Sequence, residues 1–136
     1  MFIVVDASVW VARLVSEDVF HEPVKAWMFA RLEEKDQFLS PSLLLAEIGG
    51  AISRRTTAAL GSKAVALVQN LPGLRLVEME DSLMNEAAQL AAELGMRGAD
   101  SIYAAVAARL DLPLVTLDVD QRERAGKRIT VLEISK

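Results

Sequence analysis

Four acidic residues of this chain lie among apolar neighbours, where a carboxylate is costly unless something pairs with it. Asp6 ends the apolar run FIVV, and Glu47 lies within SLLLAEIGGAI. Asp100 lies within RGADSIYAAVAA, and Asp118 ends the run PLVTLD. Residues of this type are general acids or bases and ligands of hard divalent cations. They are therefore the first candidates for chemistry.

Each acid also has a structural explanation of its own. Asp6 or Ser8 is placed to accept hydrogen bonds from the first N–H groups of a following helix, and Asp100 is placed to cap another. Asp118 is a turn former, and Glu47 is a possible ion-pair partner of an arginine such as Arg54. Taken one at a time, these explanations are as good as the chemical one.

Taken together, the four carboxylates favour a metal site. Acids that meet at the edge of one core repel one another and raise one another's pKa, unless a cation lies between them. Mg²⁺ prefers oxygen ligands, keeps several waters and takes one or two carboxylates directly, so the other acids can act through water or on a second ion. The pattern predicts hydrolysis assisted by a hard cation.

Composition narrows the chemistry further. The chain has 136 residues, 52% of them hydrophobic, a net charge of −4, no cysteine and one histidine, His21. Disulfides, thiolate metal sites and cysteine nucleophiles are excluded, and a histidine-rich zinc site is disfavoured. No apolar run is long enough to cross a bilayer, so we expect a cytoplasmic protein without a membrane partner.

The apolar pattern alternates between strands and helices. It predicts strands at 2–6, 37–39, 74–79, 113–118 and 129–134. It predicts helices at 9–14, 16–35, 40–55, 58–71, 80–94 and 99–110, with a polar turn or short helix at 119–127. Such alternation is typical of an α/β fold in which helices cover both faces of a mainly parallel sheet of about five strands. We expect a single domain over 1–136, with its site beyond the carboxyl ends of the strands.

Two further features carry structural predictions. Gly49 and Gly50 lie inside a predicted helix, where glycine is unfavourable, and they indicate that another backbone approaches closely there. Trp10 and the run Trp27-Met28-Phe29 are either core or an exposed surface for a partner, and we favour the core.

The order and spacing of these motifs resemble the PIN domain, in particular the VapC type of toxin ribonuclease. The resemblance is carried by DAS at 6–8, by PSLLLAEI and by RGADSIYAAVAARLDLPLVTLD, and it covers essentially the whole chain. It implies a three-layer α/β/α fold and an endoribonuclease that uses one or two Mg²⁺ or Mn²⁺ ions. It also implies a set of site residues: Asp6, Glu47, Asp100 and Asp118 as catalytic metal ligands, Glu47 directly or through water, with Ser8 and Asp120 beside them.

Arginines near these acids are candidate phosphate contacts, because a guanidinium fork matches phosphate oxygens. Arg97, Arg122 and Arg124 rank first by their nearness in sequence to Asp100 and Asp118. An ordinary solvated surface is the alternative for each of them.

The resemblance also implies partners: an RNA substrate, a second copy of the chain in a homodimer, and a small VapB-type antitoxin. Two other functions stay open, and a third is disfavoured. One is a PIN nuclease of RNA processing, and another is a PIN-like scaffold or binding module with little activity. A phosphotransfer protein is opposed by Ser8, because aspartate-nucleophile phosphatases need a second aspartate there.

Overall fold

The strands of the chain form one parallel sheet. The computed structural model describes residues 1–136. The five strands are β1 Phe2–Val5, β2 Gln37–Pro41, β3 Leu74–Val77, β4 Leu114–Val115 and β5 Val131–Leu132. Their order across the sheet is β3-β2-β1-β4-β5, and every pairing is parallel. The predicted mainly parallel sheet of five strands is confirmed.

Seven helices cover the sheet and make the fold a three-layer α/β/α arrangement. They are α1 Ala7–Leu14, α2 His21–Glu33, α3 Leu43–Arg55, α4 Ala58–Gln69, α5 Asp81–Leu94, α6 Gly98–Leu110 and α7 Val119–Ala125. The α6 helix packs directly on β1, β2 and β4 and pairs with α5. The α1 helix pairs with α2 and α3, and α3 pairs with α4. None of these helices is both long enough and apolar enough to span a bilayer.

The core is richest in β1 and α6. Ile3, Val4 and Val5 are fully buried, and α6 is buried continuously from Ser101 to Ala107. A central strand covered on both faces explains the unbroken apolar run of β1. The small alanines of α6 let its backbone lie close to the sheet. Asp6 follows the buried strand β1 and Asp100 lies in α6, so both acids are attached to rigid elements.

Gly61 of α4 provides the close approach that the glycines of α3 predicted. A Cβ atom at Gly61 would lie 2.9 Å from the carbonyl oxygen of Gly49 and 3.2 Å from the Cβ of Ser53. The α3 and α4 helices therefore pack backbone against backbone at this point. Gly49 is part of that contact, as predicted, whereas a Cβ atom at Gly50 would meet the side chain of Arg54, at 3.1 Å, and not another backbone.

Several element boundaries differ from the sequence predictions. The α2 helix begins at His21 rather than at residue 16, because Asp18 accepts a hydrogen bond from the Phe20 N–H in a turn. Ser40 and Pro41 belong to β2 rather than to the start of α3. The last residue pair between β1 and β2 is Val4 with Leu39. Pro41 lies beyond this pair, so its missing N–H does not cost the sheet a hydrogen bond to β1.

The last two strands are shorter than predicted. The β4 strand is Leu114–Val115, since the chain turns at Thr116 to enter α7. The β5 strand is Val131–Leu132. The tryptophans follow the favoured core interpretation: Trp10 is buried edge-on to Phe38, and Trp27 stacks on the same ring. Phe29 does not belong to the core, because 65% of its surface is exposed.

Candidate metal centre and active site

The four acids predicted from the sequence gather at the carboxyl edge of the sheet. Asp6 directly follows β1, and Asp118 follows the adjacent β4 after a turn. Glu47 comes from α3, which follows β2, and Asp100 lies in the first turn of α6. Asp6 and Asp100 both repel the charge of Glu47, and Asp6 and Asp118 both repel that of Asp100. Four elements therefore bring their carboxylates within electrostatic reach of one another.

Asp6 is held rigidly by donors on three sides. Its Oδ2 accepts hydrogen bonds from the Ser8 N–H at 3.1 Å, the Ser8 hydroxyl at 2.6 Å and the Thr116 hydroxyl at 3.1 Å. The Gln121 amide donates to its Oδ1 at 3.4 Å. Asp6 is thus the N-cap of α1, and Ser8 is not. The capping explanation for Asp6 is correct, but it accounts for only one of these bonds.

Ser8 lies beside Asp6, as the resemblance implied. Its hydroxyl donates to Asp6 and accepts a hydrogen bond from the Leu117 N–H at 3.0 Å. It therefore ties the start of α1 to the turn after β4. This contact fixes Asp6 relative to the segment that carries Asp118.

Thr116 and Gln121 also contact Asp6, and neither was predicted from the sequence. Both side chains are buried, and the Thr116 hydroxyl lies 3.0 Å from the Gln121 amide oxygen. Each residue has a recognisable feature in the sequence. Thr116 is a polar residue in an apolar strand, and Gln121 lies three residues after the helix cap Asp118, as in a capping box. The Gln121 side chain turns to Asp6 rather than back to the cap.

Glu47 is held by a tyrosine rather than by an arginine. The Tyr103 hydroxyl donates to Glu47 Oε1 at 2.7 Å, and Tyr103 is fully buried in α6. Burial, reinforced by Glu47, raises the pKa of the Tyr103 phenol, which keeps it a donor. Burial, with repulsion from Asp6 and Asp100, raises the pKa of Glu47 despite this hydrogen bond. The alternative explanation of Glu47 as the ion-pair partner of an arginine does not hold.

Asp100 and Asp118 share one arginine. Arg97 Nε donates to Asp100 Oδ2 at 3.2 Å, and Arg97 Nη2 donates to Asp118 Oδ2 at 2.7 Å. Burial and repulsion from Asp6 nevertheless raise the pKa of Asp100. Asp100 is not a helix cap, because the N-cap of α6 is Arg97, whereas Asp118 caps α7 by accepting the Gln121 N–H at 3.0 Å.

The other predicted residues lie in exposed ion pairs. Asp120 accepts a hydrogen bond from Arg124 at 2.9 Å, and Arg122 lies 3.4 Å from Glu133. Neither pair includes any of the four acids. A phosphate contact by Arg122 or Arg124 stays a prediction, as does a supporting role for Asp120.

The donor set fits a hard divalent cation, although no three acids point at one position. Burial and repulsion from neighbouring acids raise the pKa values of Glu47 and Asp100. A cation bound between the carboxylates would relieve this repulsion. No group of three or more His, Cys, Asp or Glu side chains is placed to hold a metal ion as the side chains stand. The present partners are neutral donors for Asp6 and Glu47, and Arg97 for Asp100 and Asp118. One or two carboxylates with water suffice for Mg²⁺.

Solved structures with the same fold include VapBC and VapC proteins. VapBC2 from Rickettsia felis, bound to a DNA fragment from its promoter, has a TM-score of 0.76 and 14% identity, covering 99% of this chain and 100% of that one. VapC20 of Mycobacterium tuberculosis, a toxin that cleaves the sarcin-ricin loop, has a TM-score of 0.74 and 20% identity, covering 89% and 93%. FitAcB from Neisseria gonorrhoeae has a TM-score of 0.70 and 20% identity, covering 96% of each chain. At these identities the likeness shows the fold.

The family is shown by the sequence itself. No curated protein matches the chain. The profile of the PIN domain family matches residues 3–127, which include all four acids. The chain therefore belongs to the PIN domain family.

Proposed function

We propose that this protein is an endoribonuclease that hydrolyses RNA phosphodiester bonds with the help of Mg²⁺ or Mn²⁺. The observation that carries the proposal is the acid cluster: four carboxylates from four elements, two of them with raised pKa, at the edge of a parallel sheet. Structural ion pairing does not explain it, since Asp6 and Glu47 have no cationic partner.

The cation would be held by Asp100 and Asp118 with Asp6, and Glu47 would act directly or through water. A bound divalent cation lowers the pKa of a water molecule and stabilises the negative charge that develops on the phosphate. One or two ions are compatible with four carboxylates.

The protein's own residues supply rigidity and proton transfer. Ser8, Thr116 and Gln121 fix the orientation of Asp6, and Tyr103 fixes that of Glu47. Asp100 or Asp118 would accept a proton from the attacking water, as a carboxylate within reach of that water can act as a general base.

We further propose that the nuclease is the toxin of a VapBC-type pair, acts in the cytoplasm as a homodimer and is bound by a small antitoxin. The VapBC structures of the same fold support this role. An open cavity of about 360 Å³ adjoins α1, α2 and α4 and suits an apolar partner segment. Its apolar lining includes Leu14, Met28, Phe29, Leu32, Leu67 and Leu71. A PIN nuclease of RNA processing remains the alternative.

RNA cleavage tests the enzymatic proposal. Purified wild-type protein should cleave structured RNA in Mg²⁺ or Mn²⁺ and stop in EDTA. Asp100→Asn should lower the rate about 10²–10⁴-fold, the range for loss of a group that transfers protons. Asp111→Asn is the matched control: it changes an exposed acid at the other end of α6, at φ 54°, a conformation that asparagine tolerates. Full activity of Asp100→Asn would refute the proposal.

Binding of the antitoxin tests the toxin role. A VapB-type protein encoded by a short reading frame immediately upstream should co-purify with the wild-type chain and inhibit its RNA cleavage. Phe29→Asp, which places a charge on the exposed edge of the cavity, should weaken that complex and leave free cleavage unchanged. Inhibition that is unaffected by Phe29→Asp would exclude this cavity as the binding surface.

A further inference from the structure

Arg97 has an unusual position for an exposed arginine. Its side chain is 68% exposed, yet two of its nitrogens contact the acid cluster, at 3.2 Å from Asp100 and 2.7 Å from Asp118. It is the only lysine or arginine that forms a salt bridge with any of the four acids. One guanidinium thus joins the start of α6 to the turn that follows β4.

This bridge occupies the oxygens that a divalent cation would use. Asp118 Oδ2 receives a hydrogen bond from Arg97 at 2.7 Å, and a positive ion bound at the same oxygen would lie against the guanidinium. Like charges at such a distance repel strongly. The remaining acids, Asp6 and Glu47, receive hydrogen bonds only from neutral donors.

The arginine is also free to leave. Exposed ion pairs are weak, so moving the guanidinium into water costs little compared with the attraction between a divalent cation and several carboxylates. Arg97 is the N-cap residue of α6 and precedes its first turn. The first turn of α6 can therefore stay in place while the side chain of Arg97 rotates.

We infer that Arg97 is a built-in counter-cation of the acid cluster, which holds Asp100 and Asp118 together in the metal-free protein and competes with the divalent cation for them. The inference rests on the proposed metal centre. It gives Arg97 a role different from the phosphate contact predicted from its place in the sequence.

Binding of Mn²⁺, followed by electron paramagnetic resonance of the free ion at low ionic strength, tests this competition without any activity assay. Arg97→Gln should bind Mn²⁺ about three- to tenfold more tightly than the wild type, because two exposed ion pairs no longer have to be broken. Equal or weaker binding by Arg97→Gln would overturn the inference.

Arg109→Gln is the matched control. Arg109 bridges two acids as Arg97 does, at 2.7 Å from Glu80 and 2.9 Å from Glu86, but it lies at the other end of α6. Its loss should leave the affinity for Mn²⁺ unchanged. A gain in affinity equal to that of Arg97→Gln would show a general effect of charge and would overturn the inference.

Thermal unfolding gives a second readout. In EDTA at neutral pH, Arg97→Gln should melt below the wild type, because the acids lose their only cation, and saturating Mn²⁺ should narrow the difference. A higher melting temperature of Arg97→Gln in EDTA would contradict the proposed role. If the wild type itself bound no Mn²⁺, the metal centre and this inference would both fail, whereas unchanged affinity in Arg97→Gln would remove the inference alone.

Discussion

The Tyr103 hydroxyl lies 2.7 Å from Glu47 Oε1 and joins α6 to α3 across the acid cluster. The two residues are 56 positions apart in the chain, and the phenol is fully buried. A donor in this position selects one orientation of the glutamate. Glu47 is therefore positioned before any cation or substrate arrives.

Tyr103→Phe should lower cleavage of RNA about 10–100-fold, the range seen when a group that orients a metal ligand is removed. Stability should fall by only about 1 kcal/mol, because Glu47 is half-exposed and water can replace the lost donor. The measurement is the cleavage rate at saturating Mn²⁺, with unfolding in denaturant as the check on folding. In a Glu47→Gln background, Tyr103→Phe should cause little further loss of cleavage rate. If the further loss were as large as in the wild-type background, Tyr103 would act through a group other than Glu47.

Thr116→Val should destabilise the protein by about 1–3 kcal/mol. The Thr116 hydroxyl contacts Asp6 and Gln121, both buried, and accepts the Asp118 N–H, so its removal leaves buried polar groups without partners. Urea unfolding in EDTA measures the change. Thr116→Ser keeps the hydroxyl and should retain most of the stability; an equal loss in both variants would point to the methyl group instead.

The metal-free protein should lose stability through Glu47 as the pH rises. The folded-state pKa of Glu47 is raised above its ordinary value, so the folded chain binds more protons than the unfolded chain between those two pKa values. Stability therefore falls as pH increases through that interval. Glu47→Gln removes the effect, and in EDTA its melting temperature should exceed that of the wild type at neutral pH, on the order of 3 °C.

The advantage of Glu47→Gln should shrink toward pH ~4, where the wild-type glutamate is protonated in both states. Scanning calorimetry of both proteins across this range measures it. Glu33→Gln, at an exposed position at the end of α2, should show no such pH-dependent gain. A gain from Glu47→Gln that stayed constant with pH would exclude the carboxylate charge as its cause.

Gly61→Ala should destabilise the contact between α3 and α4 by about 1–3 kcal/mol, since its Cβ would lie 2.9 Å from the Gly49 carbonyl oxygen. Gly98→Ala is the matched control: Gly98 is also helical, and its added Cβ would meet nothing within 4 Å. Thermal unfolding compares the two. If both variants were equally stable, the contact between α3 and α4 would accommodate a Cβ atom at Gly61 without loss of stability, and the prediction would be wrong.

The sequence was sufficient to predict the acids and their edge of the sheet. Asp6 and Asp118 each follow an apolar strand, and parallel strands bring their carboxyl ends to the same side, so their meeting follows from topology. Glu47 and Asp100 were recognisable because a charged residue among leucines or alanines is unfavourable unless it has a binding partner. These inferences use only local pattern and the rules of parallel sheets.

The partners of the acids were not predictable in the same way. Tyr103 lies in an alanine-rich segment, and nothing local indicates that its hydroxyl reaches a glutamate in another helix. Arg97 is a candidate phosphate contact by its place in the sequence, but the sequence does not indicate that its guanidinium contacts two of the acids. Pairings between distant side chains depend on how helices are rotated about their axes, which a single sequence does not specify.

The most direct test of the central claim is the dependence of RNA cleavage on Mn²⁺, measured together with Mn²⁺ binding, for the wild type and Asp118→Asn. If the four carboxylates form one catalytic metal centre, wild-type cleavage should rise from zero in EDTA and saturate over the same Mn²⁺ concentrations at which the ion binds. Asp118→Asn should shift both curves to higher concentration. Cleavage that persists in EDTA, or that is unchanged in Asp118→Asn while Mn²⁺ binding is lost, would contradict the account.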